Sequence, residues 1–331
     1  MKKIIISCLA VLSIATESWS QDFHLSQYDA AALNVNPAMT GAFLGEYRIH
    51  THFRSQWLAI TPNPFTTGIV GFDLNKKAWG VGGQIANFRA GVGNYNVLSV
   101  MPSVAYKFRL GKKKKHVLNI GTQIGFFQKS INASNLTFAS QYEKINGGEF
   151  NTSISSGENF ENGDFINLDI GAGFMYTYAS YSSKFNPFFG GTFFHLNTPS
   201  ESFLGEANKL PIRTQFQLGA RWAVTNRLTI TPKVFFQYQE KAEEINIGAM
   251  GQYYIQSSDL FLLFGFSYRD DNDALVFDIG GKYAGFIGRV SYDVNISTLN
   301  SVSNGRGATE LSLTYIWNKP NHTPLPSCPK F

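Results

Sequence analysis

Cysteine is nearly missing from this chain of 331 residues: there are two, too few for a disulfide-built scaffold. Charge is scarce as well. Asp, Glu, Lys and Arg make up 15% of the residues, against about 25% in an ordinary soluble domain. Beyond the N-terminus no run reaches the roughly 18 apolar residues of a membrane-spanning helix. No period of about 20–50 residues marks a propeller or solenoid. Phosphate loops, the Gly-x-Ser-x-Gly elbow and His-Glu-x-x-His are missing too, so no enzymatic constellation forms. What is present is aromatic: 15% of residues, including 29 Phe, beside 31 Gly. Disorder goes with few aromatics and many charges and is excluded. A coiled coil does not tolerate this Gly and Phe content. The remainder is a folded, β-rich chain with a formal charge of +5.

The first residues read as a cleaved secretory signal over 1–20. Lys2 and Lys3 precede a short apolar stretch, Ile4 to Ala15, and Ser18-Trp19-Ser20 places small residues before Gln21. Cys8 leaves with the signal. Cys328 stays, at the wrong end for a lipid anchor. A polar, small-residue segment follows over 21–45 and is expected on the periplasmic side or as a plug.

From there the pattern has period 2. Strands are expected at 46–57, 65–74, 79–88, 95–109, 115–129, 164–178, 185–197, 210–224, 227–239, 243–255, 259–268, 274–283, 285–297 and 307–317. In 227–239, Leu228, Ile230, Pro232, Val234, Phe236 and Tyr238 oppose Arg227, Thr229, Thr231, Lys233, Phe235, Gln237 and Gln239. Strands of ten or more residues with one apolar and one polar face suit an outer-membrane barrel. Links after even strands are short, and the longest ones, 130–163 among them, follow odd strands. That is the asymmetry of periplasmic turns and extracellular loops. The expectation is an all-β transmembrane barrel of about fourteen antiparallel strands over 46–317, a tail over 318–331, and both termini periplasmic. A soluble secreted β protein is the alternative architecture.

The two ends of the chain are more specific. Phe23-His24-Leu25-Ser26-Gln27-Tyr28, Asn36-Pro37-Ala38 with Gly41, Tyr47-Arg48 and Arg54-Ser55-Gln56-Trp57 resemble the start of the PorP/SprF family. Ser291 to Ser297 with Leu299, Glu310-Leu311-Ser312-Leu313 and the closing Cys328-Pro329-Lys330-Phe331 resemble its end. The resemblance implies an outer-membrane protein of the type IX secretion and gliding system of Bacteroidota. It implies action on large secreted proteins, often adhesins, through their C-terminal domain, and contact with other secretion-system or periplasmic components. It implies no enzymatic activity and no cofactor.

Alternation aims a set of charges at the lumen: Arg48, Arg54, Asp169, Arg213, Arg221, Lys233, Asp278, Lys282, Arg289, Asp293 and Glu310. Mixed signs there predict ion pairs bracing the interior or holding an inserted segment. A fourteen-strand barrel is too wide for side chains alone to fill. Its lumen is expected to hold a plug, from 21–45 or 130–163, or part of a partner, rather than an open pore. His50 and His52 share a face but lack further metal ligands, so no metal is expected. Trp57, Trp79, Trp222 and Trp317 fall at or near strand ends, where interface girdles want aromatics. The run Lys112 to Lys115 and the pair Lys76-Lys77 lie in short links. They read as solvated turns, or as contacts to a periplasmic protein or anionic headgroups; export argues against nucleic acid. Loop aromatics Phe138, Tyr142, Phe150, Phe160 and Phe203 are candidate partner anchors. The functional expectation is a barrel, in contact with outer-membrane lipid, that assists secretion or surface retention of an adhesin. A channel for small solutes is the alternative.

Overall fold

The computed structural model describes residues 22–317 apart from 133, 135, 145–147, 159–162, 181, 204–207 and 271–272. The signal, the tail with Cys328, and Phe160 therefore lie outside the described residues. Sixteen strands occur among the described residues. They are β1 (Tyr47–Gln56), β2 (Phe65–Lys76), β3 (Trp79–Ala90), β4 (Tyr95–Leu110), β5 (His116–Ser130), β6 (Tyr142–Glu143), β7 (Glu149–Phe150) and β8 (Asp164–Tyr178). Then come β9 (Phe185–Phe194), β10 (Arg213–Ala223), β11 (Leu228–Gln239), β12 (Ala242–Ile255), β13 (Leu260–Arg269), β14 (Ala274–Tyr283), β15 (Phe286–Asn295) and β16 (Arg306–Trp317).

All but β6 and β7 form one closed antiparallel barrel of fourteen strands, each beside its sequence neighbours. β1 seals it against β16, from Tyr47 opposite Trp317 to Gln56 opposite Ala308. β6 and β7 make a separate hairpin inside the long loop. The barrel strands run from 10 to 16 residues, enough for a tilted strand to cross a bilayer, which takes about 9–11. No helix among the described residues is long and apolar enough to cross a membrane; the strands make the crossing.

The two ends of the barrel differ. At the turn end the links are 77–78, 111–115, 179–184, 224–227, 256–259 and 284–285. At the loop end they are 57–64, 91–94, 131–163, 195–212, 240–241, 270–273 and 296–305. Ala284 and Gly285 both have positive φ, 48° and 88°, the two-residue hairpin geometry whose twist matches that of the strands. Two boundaries depart from the alternation by three residues, and the strand expected over 210–224 begins only at Arg213. The strand expected over 185–197 ends at Phe194, because His195 turns into the left-handed region at φ 58° and takes the chain out of the wall.

Period 2 sorts the side chains into two surfaces. In β1, Arg48, His50, His52 and Arg54 are buried while Ile49 and Phe53 are about half exposed. The same split recurs round the wall, with Val70, Phe72, Ile85, Ile124, Phe126, Leu218, Ile279 and Leu313 outward. So large an apolar band on a closed wall is the surface of a protein solvated by lipid. Trp79, Trp222 and Trp317 stand on it at the turn end, each about half exposed. Trp57 instead sits at the loop end and packs on Phe65, ring centres 4.6 Å apart.

Candidate functional site: the plugged lumen

The polar face of the barrel encloses the chain's own N-terminal segment. Residues 25–43 are buried except for Ala30 and Asn34. They form three single turns, Tyr28–Ala30, Ala32–Val35 and Pro37–Met39. No such turn is stable alone in water; the wall supplies what they lack. Leu25, Tyr28, Ala31 and Val35 pack with Ile69, Ala86 and Phe235, and Ala38 packs with Met175 and Phe188. Tyr28 stacks on Phe235 at 4.5 Å, and the Lys233 ammonium lies 4.7 Å above its ring.

Asn-Pro-Ala is the tightest contact. The Asn36 side chain accepts from the Ala38 N–H at 2.9 Å and donates to the Phe174 carbonyl at 2.9 Å. The Thr40 hydroxyl donates to the Pro37 carbonyl and accepts from the Ser103 hydroxyl, both at 2.8 Å. Glycines in the wall make room for this turn. A Cβ on Gly121 would lie 2.6 Å from Ala38, where no carbon can sit. Gly121→Val is therefore expected to lift the segment from β5 and β8 while leaving the strands paired. Protease cleavage within residues 25–43 should rise severalfold in the folded variant; unchanged protection would show that the turn does not depend on this gap.

Four ionic anchors fix the segment around the circumference. In the first, Arg48 forks onto Asp73 at 2.9 and 2.8 Å. Asp73 also accepts the Gly41 N–H at 2.7 Å, and Arg48 donates to the Met39 carbonyl at 3.1 Å. In the second, Asp29 takes Lys233 at 2.6 Å and Arg289 at 2.8 Å, and Arg289 also pairs with Asp278. In the third, Glu310 accepts the backbone N–H groups of Ser26 and Gln27 at 2.6 and 2.8 Å, pairs with Arg54, and lies 2.9 Å from His52. The Ser26 hydroxyl donates to Asp293 at 2.7 Å and receives Arg54 and Arg269. In the fourth, Asp22 meets His195 at 2.7 Å and Arg213 at 3.1 Å, and His195 holds Asp169 at 3.0 Å through its other nitrogen.

Burial alone would raise the Asp29 carboxyl, but Arg289 and Lys233 outweigh it and hold it well below the usual range. Asp22 likewise lies well below, Arg213 and His195 overcoming its burial. Burial lowers the His195 imidazole, but Asp22 and Asp169 win and bring it up to about 9. The sign follows from the shift. The His195 contribution is complete below the free value of 6.5 and is lost as pH rises through about 9. That of Asp22 is present above the ordinary carboxylate range and is lost only in strong acid. An environment-sensitive fluorophore at Asn34→Cys, beside this anchor, should report loosening between pH 6.5 and about 9. An Asp22→Asn background should flatten that change; a flat profile in the parent would disprove the linkage.

Of the lumen-facing charges, Arg54, Asp293 and Glu310 thus meet in one anchor, Lys233, Asp278 and Arg289 in a second, Asp169 and Arg213 in a third, and Arg48 stands with Asp73. Arg221 and Lys282 are half-buried; the Lys282 ammonium lies 5.6 Å from the Phe261 ring centre. Asp73, Asp22 and Asp29 were not among the residues singled out by alternation. Asp73 occupies an inward position of β2 and shares the signal; Asp22 and Asp29 lie in the segment before the strands, where alternation is silent.

Among the described residues, cavities remain beside the segment. One of about 220 Å³ at the turn half is lined by Phe43, Leu44, Leu263, Ile287, Lys282 and Arg289, among others. One of about 70 Å³ at the loop half is lined by Phe23, Phe88, Tyr95, Phe127, His195 and Arg213, among others. His50 is buried without a hydrogen-bond partner on either nitrogen, and among the described residues no group of three His, Cys, Asp or Glu is placed to hold a metal.

The loop aromatics part company. Tyr142 and Phe150 face each other across the β6–β7 hairpin at 5.3 Å and are about half exposed. Phe138 is half-buried at the foot of that hairpin. Phe203 packs against Phe165 at 5.0 Å and Tyr95 at 6.4 Å, and so belongs to the barrel mouth.

The architecture is similar to that of solved outer-membrane barrels. The toluene transporter TbuX of Ralstonia pickettii matches with a TM-score of 0.52 at 10% identity, over 87% of this chain and 94% of that one. The toluene transporter TodX of P. putida matches with a TM-score of 0.50 at 10% identity, over 88% and 94%. At such identity the likeness is one of fold. No curated protein matches the sequence. The model of the type IX secretion system membrane protein family PorP/SprF matches residues 18–315, from before the lumenal segment to the last barrel strand, and the chain belongs to the PorP/SprF family.

Proposed function

We propose that this outer-membrane barrel assists the secretion or surface retention of a large secreted protein, an adhesin, by receiving its C-terminal domain at the loop end. In this reading residues 1–20 are a removed signal, both termini and all the short turns face the periplasm, and the loops face outward. The protein performs no chemical step of its own and works as a platform. The observation that carries this reading is the filled lumen: four buried anchors hold residues 22–43 across the interior, leaving pockets of about 220 and 70 Å³. A wall of this length around an interior occupied by its own chain serves as a fixed surface. The exposed Tyr142–Phe150 pair on its hairpin is the aromatic contact such a platform would offer.

A tagged chain at native expression, extracted in mild detergent, should co-purify with one large secreted protein in near-equal amount. Tyr142→Ala with Phe150→Ala should lower that yield at least tenfold and leave the barrel's heat-modifiable migration unchanged. Barrel recovered alone, with steady conductance in planar bilayers, would favour passage of a small solute through the lumen and overturn the platform.

A further inference from the structure

Charge is distributed unevenly on the turn end. Following the barrel from β2 to β11, four consecutive turns carry exposed bases. The β2–β3 turn has Lys76 and Lys77. The β4–β5 turn has Arg109 and the run 112–115, of which only Lys115 is half-buried. The β8–β9 turn has Lys184, and the β10–β11 turn has Arg227. None of these side chains forms an ion pair among the described residues; Lys115 donates to the Ser182 hydroxyl at 3.1 Å, and Lys76 leans over the Tyr47 ring. The rest of the rim is bare of exposed bases among the described residues. There the β12–β13 turn reads Gln256-Ser257-Ser258-Asp259, the β14–β15 turn is Ala284-Gly285 with half-buried Lys282 two residues before it, and the β16–β1 closure brings half-buried Glu46. The loop end, by contrast, mixes signs: Glu149, Glu240 and Glu243 stand exposed beside Arg89, Lys144 and Lys241.

Like charges held this close repel one another and do nothing for the fold. Neighbouring turns lie two strands apart, about 10 Å, near the Debye length of about 8 Å at physiological salt. Their potentials therefore merge into one arc along half the rim, about 30 Å long. Two anionic partners are available to such an arc, the headgroups of the surrounding leaflet and the face of a protein. Headgroups encircle a barrel, and the residues that meet them should encircle it too. The aromatic girdle does so: Trp79 and Trp222 stand on the basic half, Tyr283, Phe286 and Trp317 on the bare half, all about half exposed. The bases do not follow the girdle. We infer that the arc is a docking surface for the acidic face of a periplasmic protein, seated off the barrel axis beneath β2 to β11. The inference rests on the proposed orientation, with turns in the periplasm.

The test places a photo-crosslinking residue at Lys113 or Arg227 on the arc, and at Ser257 or Ala284 on the bare half, in the full-length chain in cells. The expected result is one discrete protein adduct from the arc positions and none from the bare half, with cross-linked peptides rich in Asp and Glu. Lys76→Glu with Lys77→Glu, in the chain carrying the probe at Lys113, should cut the adduct at least tenfold with heat-modifiable migration intact. Equal adducts from both halves, adducts to lipid alone, or a yield indifferent to the charge reversal would overturn the arc as a protein site. Labelling of Lys113→Cys in whole cells with a membrane-impermeant maleimide separates the two readings. Labelling from outside overturns the orientation itself, whereas protection with no one-sided adduct overturns only the arc.

Discussion

Removing residues 22–44 is expected to turn a nearly silent barrel into a conducting one. Fourteen strands enclose more space than side chains fill, and less than the lumen of the 16–18-strand porins that hold an aqueous channel. Here the difference is occupied by the N-terminal segment, whose residues 25–43 are almost all buried. The wall itself is built for a polar filling. His50, His52, Lys107, Asn119, Gln123, Gln215 and Asn246 all face inward and are buried. Without the segment these groups meet water, which solvates them, so the barrel is expected to fold and its lumen to flood. Planar-bilayer conductance should rise at least tenfold over the parent. A folded, heat-modifiable deletion variant that stays silent would mean that another part of the chain closes the lumen. Low conductance is the expected result for the parent itself, and that measurement bears directly on the platform reading.

The wall was legible in the sequence because its two solvents are opposite. Lipid outside and a polar filling inside leave a period-2 record along every strand, and all fourteen barrel strands stand within a few residues of where alternation puts them. β9 ends early at a single backbone angle, the positive φ of His195, which no side-chain pattern encodes. The filling was less legible. Residues 22–43 have neither long helices nor strands, and their structure comes from contacts with residues far along the chain, such as Ser26 with Glu310 and Asn36 with Phe174. Pattern within a segment cannot report partners so far along the chain. A trace was nonetheless present. Ile69, Met101, Phe127, Met175, Phe188 and Phe235 are large apolar residues at inward positions, where a water-filled lumen would carry polar ones. Together with inward glycines such as Gly121 they outline a body that the wall was shaped to receive. Which outside partner the loops meet leaves no comparable record, since Tyr142 and Phe150 are about half exposed and the ring contact between them is local to their hairpin.

Glu310→Ala is expected to be the most damaging single change in the lumen. This carboxylate is fully buried and satisfies four groups at once: the Ser26 and Gln27 N–H groups, Arg54 and His52. Losing it leaves a guanidinium with only part of its pairing and two backbone donors with none. Breaking a buried pair from one side costs about 3–5 kcal/mol, and each orphaned donor adds about 1–3 kcal/mol. The two costs fall on different parts of the molecule, which makes them separable. The Arg54 cost belongs to the wall, because Arg54 lies in β1 opposite Glu310 in β16 at the closing seam. The N–H cost belongs to the docked segment. Glu310→Ala should therefore lower the temperature of the heat-modifiable transition and also expose residues 22–43 to protease. Adding Arg54→Met removes the stranded charge, as replacing a buried ion pair by apolar groups often restores stability. The double variant should recover most of the transition temperature while the segment stays protease-sensitive, since Ser26 and Gln27 still lack their acceptor. Recovery of both properties would mean that Glu310 serves the wall alone; recovery of neither would mean that the segment itself holds the seam closed.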